Sequence, residues 1–399
     1  MAGPLTGLRV LDLGTRIAAP FCAGQLGELG AEVIKVEQPG TGDFLRDLGP
    51  FAENADGEKQ SLFWSVEGRG RRSVTLDLRT EEGQAIFRRL AATADVICEN
   101  FRTGTLERWN IGPADCDPRI VWVRITTYGQ DGPNAPLPGL DRVGVAFGGM
   151  LHLTGYPDRP PVRVGITITD YLTGIFAAQA ATAAIYERDK VGGTGQGAVV
   201  DAFLYGSSLR ILEWTLAAYD QLGIVREREG NRLKYSAPLD NYPTADGKYV
   251  CIVAGADANF VKLAGAMGQP ELATGEWAKI ADRAARSAEI NDLVAEWTRT
   301  LPAAEVVRRL QAGDVAVATA YSAADIFADE HIAARGDLVP VDDPVLGPVR
   351  QQAPFPRFVG RPVPVPSGAP RLGADTRAVL AELGLDDDEL DRLAEQGTT

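Results

Sequence analysis

Histidine is nearly absent. The 399 residues contain two, His152 and His331, far apart in sequence. A histidine-based metal site is therefore not expected, and each ring reads as a structural group. The four cysteines, Cys22, Cys98, Cys116 and Cys251, are scattered and form no CxxC pair. That usage fits reduced thiols in a cytoplasmic protein better than a disulfide framework or a zinc knuckle. No run of 18 apolar residues occurs, so no membrane-spanning helix is expected. The opening "MAGPLTGLRVLDLG" has no basic stretch leading into an apolar core and does not read as a secretory signal. An excess of positive charge is missing too: 40 Lys and Arg face 54 Asp and Glu, a net charge of −14. General binding to nucleic acid or an anionic membrane needs the opposite sign. Any anionic ligand must then be met by a local basic patch.

What is present is an alternation of strand-like and helix-like segments. "LRVLDLG" (8–14) reads as a strand, "PFCAGQLGELG" (20–30) as a helix, and "AEVIKVE" (31–37) as a second strand. The pattern continues with a strand at 73–78, a helix at 80–93, and strands at 95–98 and 119–126. Another strand and helix follow over 197–223. This implies an α/β fold with a mostly parallel sheet covered on both faces. Glu37 ends the second strand, where dinucleotide-binding folds place a ribose-binding acid. However, "GTRIAAP" after the first strand lacks GxGxxG, and no Walker A sequence occurs, so a nicotinamide site is not expected. The expected division is a large domain over 1–223, a polar, turn-rich linker over 224–247, a small α+β domain over 248–335, and a terminal region over 336–399 that opens with a second, Pro-rich linker.

Three loops carry candidate chemistry. "EGRGRRSVTLDLR" gathers Arg69, Arg71, Arg72 and Arg79, and "ENFRTGTLERW" adds Arg102 and Arg108 just after a strand. Each cluster reads either as a solvated strand entry or as a dock for phosphates, which arginine forks suit. "TTYGQDGPNAPLPGLD" (126–141) is a long loop of the kind that often serves function. A fourth feature is "RVGITITDYLTGIFAA" (163–178), in which Asp170 is the only charge between Arg163 and Glu187. The residues before it alternate like a strand and those after it run like a buried helix. Asp170 reads as the helix N-cap, held ionised by first-turn amides. An ionised carboxylate at such a junction is also a competent nucleophile toward an acyl group.

The ordered set "GLRVLDLG…PFCAGQLGELGAEVIKVEQPGTGD", "RRSVTLDL…EG", "DVICENFRTGTLERW", "YGQDGP" and "DYLTG" resembles the class III CoA-transferases, a superfamily that includes the α-methylacyl-CoA racemases. The resemblance implies a Rossmann-like large domain, a small domain, a C-terminal segment that returns to the large one, and a homodimer of interlocked chains. It implies acyl-CoA and a carboxylic acid as substrates and no metal or redox cofactor. By resemblance, Asp170 is the catalytic aspartate and carries CoA as a thioester. The CoA-binding positions fall on Ile17, Ala18, Gln38, Leu76, Arg79, Asn100, Phe101, Arg102, Arg108, Gly139 and Asp141, with Arg71 and Arg72 from the basic run. Arg16 and Arg46 stand where they could help a dicarboxylate or polar acid. Leu140 occupies the position of a histidine in the racemases, and leucine cannot move a proton. Transfer is thus favoured over racemisation. An intramolecular CoA-transfer isomerase and a non-catalytic CoA-binding subunit are the remaining alternatives.

Overall fold

The computed structural model describes residues 3–399. The chain forms two compact units. One runs to Met150 and takes in Val164–Leu216 and Gly336–Thr399; the other comprises Leu151–Arg163 and Ala217–Arg335.

Six parallel strands build the first unit: Arg9–Asp12, Glu32–Glu37, Arg71–Thr75, Val96–Glu99, Val121–Thr126 and Val199–Phe203. Across the sheet they lie in the order third, second, first, fourth, fifth, sixth. Strands such as "VICE" are buried along their whole length, as expected where helices cover both faces. The two-residue period splits neighbouring side chains between two cores. Leu11, Ile34, Ile97 and Trp122 pack with Phe87 and Leu90 of the helix Glu81–Ala91. Val10, Val33, Val96 and Val123 pack with Ala23 of the helix Ala18–Glu28 and Ala181 of the helix Ile168–Asp189.

Small residues bring those last two helices close together. A β-carbon at Gly174 would stand 3.0 Å from the Ala18 carbonyl oxygen and 3.3 Å from the Cys22 nitrogen. The spacing matters because Asp170 lies one helical turn before Gly174. At the sheet edge, the Ser73 amide donates to Asp375 at 2.8 Å and the Thr75 amide to Thr376 Oγ1 at 2.9 Å. The C-terminal helices Thr376–Glu382 and Asp387–Glu395 then bury Val379, Leu380 and Leu393 in the first core.

The second unit holds an antiparallel sheet in the order Ala316–Thr319, Tyr249–Val253, Leu239–Pro243. Alternate residues of the central strand are buried, so one face packs on helices and the other is exposed. Fully buried Arg283 donates to the carbonyls of Ala237 (3.0 Å), Trp277 (2.6 Å) and Gly255 (2.7 Å), satisfying the loops beside that sheet.

Three expectations need correction. Residues 163–167 pair with no strand; they form a loop that enters the helix at Ile168. The β-like alternation there meets no neighbouring strand among the described residues. The stretch 224–247 is not a linker between the units, since Leu239–Pro243 is a strand of the second unit and the stretch lies within it. The single helix expected within 197–223 breaks into Leu204–Arg210 and Thr215–Leu222, with Glu213 between them at φ 54°.

Replacing Gly174 with valine should drive the two packed helices apart. A loss of about 1–3 kcal/mol is expected, visible as a lowered denaturation midpoint together with reduced activity.

Candidate active site

The site forms where the first and fourth strands of the sheet end side by side. At that point the strand order reverses, and open α/β sheets leave a crevice beyond the strand carboxyl ends. Two loops line the crevice, 13–17 and 100–103. Asn100 joins them: its side-chain oxygen accepts the Thr15 amide at 2.9 Å, and its side-chain nitrogen donates to the Thr15 carbonyl at 2.8 Å.

Beneath the first loop lies buried Lys35. Its ammonium donates to the Gly14 carbonyl, ion-pairs with Asp43 at 2.8 Å, and stands 3.4 Å from Asp12. Burial pulls the lysine toward neutrality, but Asp12, Asp43 and Glu37 together hold it above its ordinary value. Asp43 in turn accepts the Arg16 amide at 3.2 Å and the Leu45 amide at 2.9 Å. Arg16 is thereby kept in left-handed backbone, φ 67°, an unfavourable region for a side chain of its size. Its guanidinium lies over the Phe44 ring at 3.8 Å.

The helix that carries Asp170 receives its cap from elsewhere. Its own N-cap, Thr167, makes no side-chain cap bond. Asp141, on the helix Asp141–Phe147, accepts both the Thr169 amide (2.8 Å) and the Thr169 hydroxyl (2.7 Å) through Oδ1. Gly139 enters this turn so closely that a β-carbon would meet the Thr127 side chain at 2.5 Å. Asp170 is thus the third helical residue and not the N-cap expected from the sequence. Among the described residues its carboxylate accepts no hydrogen bond. Burial, with the like charge of Asp141, pushes Asp170 up to about 7, and Arg16 opposes the rise.

These groups face a cavity of about 770 Å³ whose wall includes Arg16, Ile17, Arg102, Arg142, Thr167 and Asp170. Arg102 and Arg142 are exposed and, among the described residues, have no ionic partner. A smaller recess of about 150 Å³ adjoins it over the ends of the second and third strands. Thr15 and Phe101 border both spaces. The recess also holds Gln38, Leu76 and Arg79. Arg79 grips Asp77 at 2.8 Å and draws its carboxyl down to about 2.

A family model described as CoA-transferase family III matches residues 5–376. The chain belongs to CoA-transferase family III. It is similar to the succinyl-CoA–D-citramalate CoA-transferase of Chloroflexus aurantiacus, at 41% identity over 97% of this chain and 96% of that one. It is also similar to the succinyl-CoA–L-malate CoA-transferase beta subunit of the same organism, at 40% identity over 98% and 96% of the two chains. The crystal structure of a CAIB/BAIF family protein from Brucella suis superposes with a TM-score of 0.84 at 33% identity, covering 96% of this chain and all of that one.

In this CoA-transferase, the residues singled out in the sequence fall into three groups. Ile17, Ala18, Asn100, Phe101, Arg102, Gly139 and Asp141 line the cavity with Asp170. Gln38, Leu76 and Arg79 line the adjoining recess. Arg71, Arg72 and Arg108 line neither. Arg71 is buried and spends its guanidinium on Asp12 and on the Glu67 and Pro20 carbonyls. Arg72 is paired with Glu32 at 2.7 Å and Glu382 at 2.8 Å. Arg108 donates to Thr105 on its own short helix at 3.0 Å. Arg46, once a candidate for acid binding, is held by both oxygens of Glu37 and stacks on Trp64. The sequence reading missed Thr15, Phe44 and Arg142, and it missed the Asp141–Thr169 tether, which spans 28 residues and leaves no local signature.

An aspartate raised to about 7 binds its proton in the folded chain at pH values where the unfolded chain has already released it. Stability should therefore fall as pH rises from about 4 to 7. Asp170→Asn removes that penalty. Its thermal midpoint should exceed the wild type's near pH 8 and converge with it near pH 4.

Proposed function

We propose that Asp170 is the nucleophile of a CoA transfer between dicarboxylic acids. One observation carries this reading: a carboxylate with no hydrogen-bonding partner among the described residues stands on the wall of the cavity at the sheet's C-terminal edge. The two relatives named above are described by succinyl-CoA paired with citramalate or malate, which supports dicarboxylates as donor and acceptor.

The ionised Asp170 attacks the donor thioester carbonyl. A mixed anhydride forms and CoA leaves as thiolate. The thiolate attacks the aspartyl carbonyl, releasing the donor acid and leaving CoA on Asp170 as a thioester. The acceptor carboxylate then attacks that thioester, giving a second anhydride and CoA thiolate. Attack of the thiolate on the acceptor carbonyl forms the product and frees Asp170. Each step exchanges an acyl oxygen for sulfur or the reverse, so no redox group is needed. The missing hydrogen bonds suit this cycle, because amide donors would stabilise the carboxylate and blunt its attack. The anhydrides need shelter from water, which the half-buried position of Asp170 supplies in part.

CoA is taken to lie along the strand ends. Gln38 and Arg79 meet its nucleotide end, Thr15 and Phe101 flank the arm that crosses between the two spaces, and the thioester reaches Asp170. Racemisation at an α-carbon would need a second free base. Leu140 stands in the cavity wall instead, and Asp141 is occupied by Thr169. The working form is inferred to be a homodimer. In support, Ile175, Phe176 and Tyr186 of the Asp170 helix are exposed, an apolar face of the kind a second copy covers.

Incubation with succinyl-CoA followed by borohydride should reduce a thioester at position 170, and peptide mass spectrometry should locate the loss there. Asp170→Ala should abolish both the label and transfer. Transfer that survives in Asp170→Ala would sink the assignment.

Because the attacking form is the carboxylate, kcat/KM should fall as pH drops below about 7. Asp141→Asn keeps an oxygen for Thr169 but removes the like charge. The acidic limb of the profile should move to lower pH in that variant.

A further inference from the structure

We infer that Arg16 is the residue that selects dicarboxylic acids, by pairing with the carboxylate of the acyl group that does not react. This deepens the functional reading above and rests on it. Three observations place Arg16 in that role.

The first is availability. Three other arginines near the strand ends are spent: Arg46 on Glu37, Arg71 on Asp12 and Arg124 on Glu99 and Glu107. Among the described residues the Arg16 guanidinium has no hydrogen bond or ion pair. Its one contact of note is the Phe44 ring, at 3.8 Å. A guanidinium stacked on an aromatic face keeps its edge free for a bidentate carboxylate.

The second is preorganisation. Arg102 and Arg142 also line the cavity, but they are exposed and would lose side-chain freedom on binding. Arg16 is half-buried, and its backbone is fixed by Asp43, itself anchored to buried Lys35. Maintaining a long side chain at φ 67° is a local cost that glycine or asparagine would reduce. The fold keeps arginine there nonetheless.

The third is charge balance through the cycle. Arg16 is the cation whose charge acts on Asp170. Whenever Asp170 is acylated or carries CoA, its negative charge is gone, and Arg16 is left without its counter-charge. A second carboxylate on the bound acid restores the balance in those covalent states. A monocarboxylic acid cannot.

The test compares acceptors matched in length with one donor, succinyl-CoA: glutarate against valerate, and malate against 2-hydroxybutyrate. The wild type should favour the dicarboxylate of each pair in kcat/KM. Arg16→Asn, which tolerates the left-handed backbone, should cut that preference roughly 10- to 100-fold, the range for one charge-assisted contact. Arg16→Lys keeps the charge without the fork and should fall between, and it serves alone if Arg16→Asn does not fold. A preference ratio unchanged in the folded variants, or a wild type indifferent to the second carboxylate, overturns the role of Arg16 while leaving CoA transfer intact. A wild type that transfers CoA to no acid at all overturns the functional reading itself.

Discussion

A buried lysine underlies the geometry of this site. Lys35 sits under the sheet's C-terminal edge with Asp12 and Asp43 around it, and its ammonium holds the carbonyl of the loop above. Taking these charges out of water is costly, and such clusters rarely add net stability over an apolar core. What this one does is fix position. Through Asp43 it sets the backbone of Arg16, and through Gly14 it sets the turn from strand to helix. Without that anchor the segment 13–17 would be an ordinary surface loop, and the cavity would lose one wall.

Asp170 is governed by the opposite logic. Lys35 is kept charged by its neighbours, whereas Asp170 is kept from being comfortably charged. It lies in the first turn of a 22-residue helix, where the helix dipole favours a carboxylate. One first-turn amide, that of Thr169, goes instead to Asp141. Burial and the nearby negative charge then outweigh the dipole. The result is a group that ionises near neutrality and has little to lose by reacting.

Much of this could be read from residue order. The parallel sheet followed from apolar runs such as "VICE" and "VWVRIT", and Asp170 stood out by its isolation between Arg163 and Glu187. The basic runs were a partial guide. Arginine attracts attention by charge, yet only the fold decides whether that charge is already neutralised, as it is for Arg71 and Arg72, or open, as for Arg16 and Arg102. Asp170 was misread as an N-cap because local pattern places a carboxylate at a helix start without saying which carboxylate does the capping. The strand expected before it failed because alternation alone does not supply a neighbouring strand to pair with, and 163–167 joins no ladder among the described residues.

The docking of Asp375 and Thr376 onto the strand Arg71–Thr75 has a consequence for biosynthesis. The two partners are about 300 residues apart, and a separate compact unit is emitted from the ribosome between them. Until the last helices emerge, a nascent chain presents a raw β-edge to its surroundings, the type of surface on which strands of neighbouring chains pair and aggregate. That edge is therefore the last part of the sheet to be closed as the chain is made.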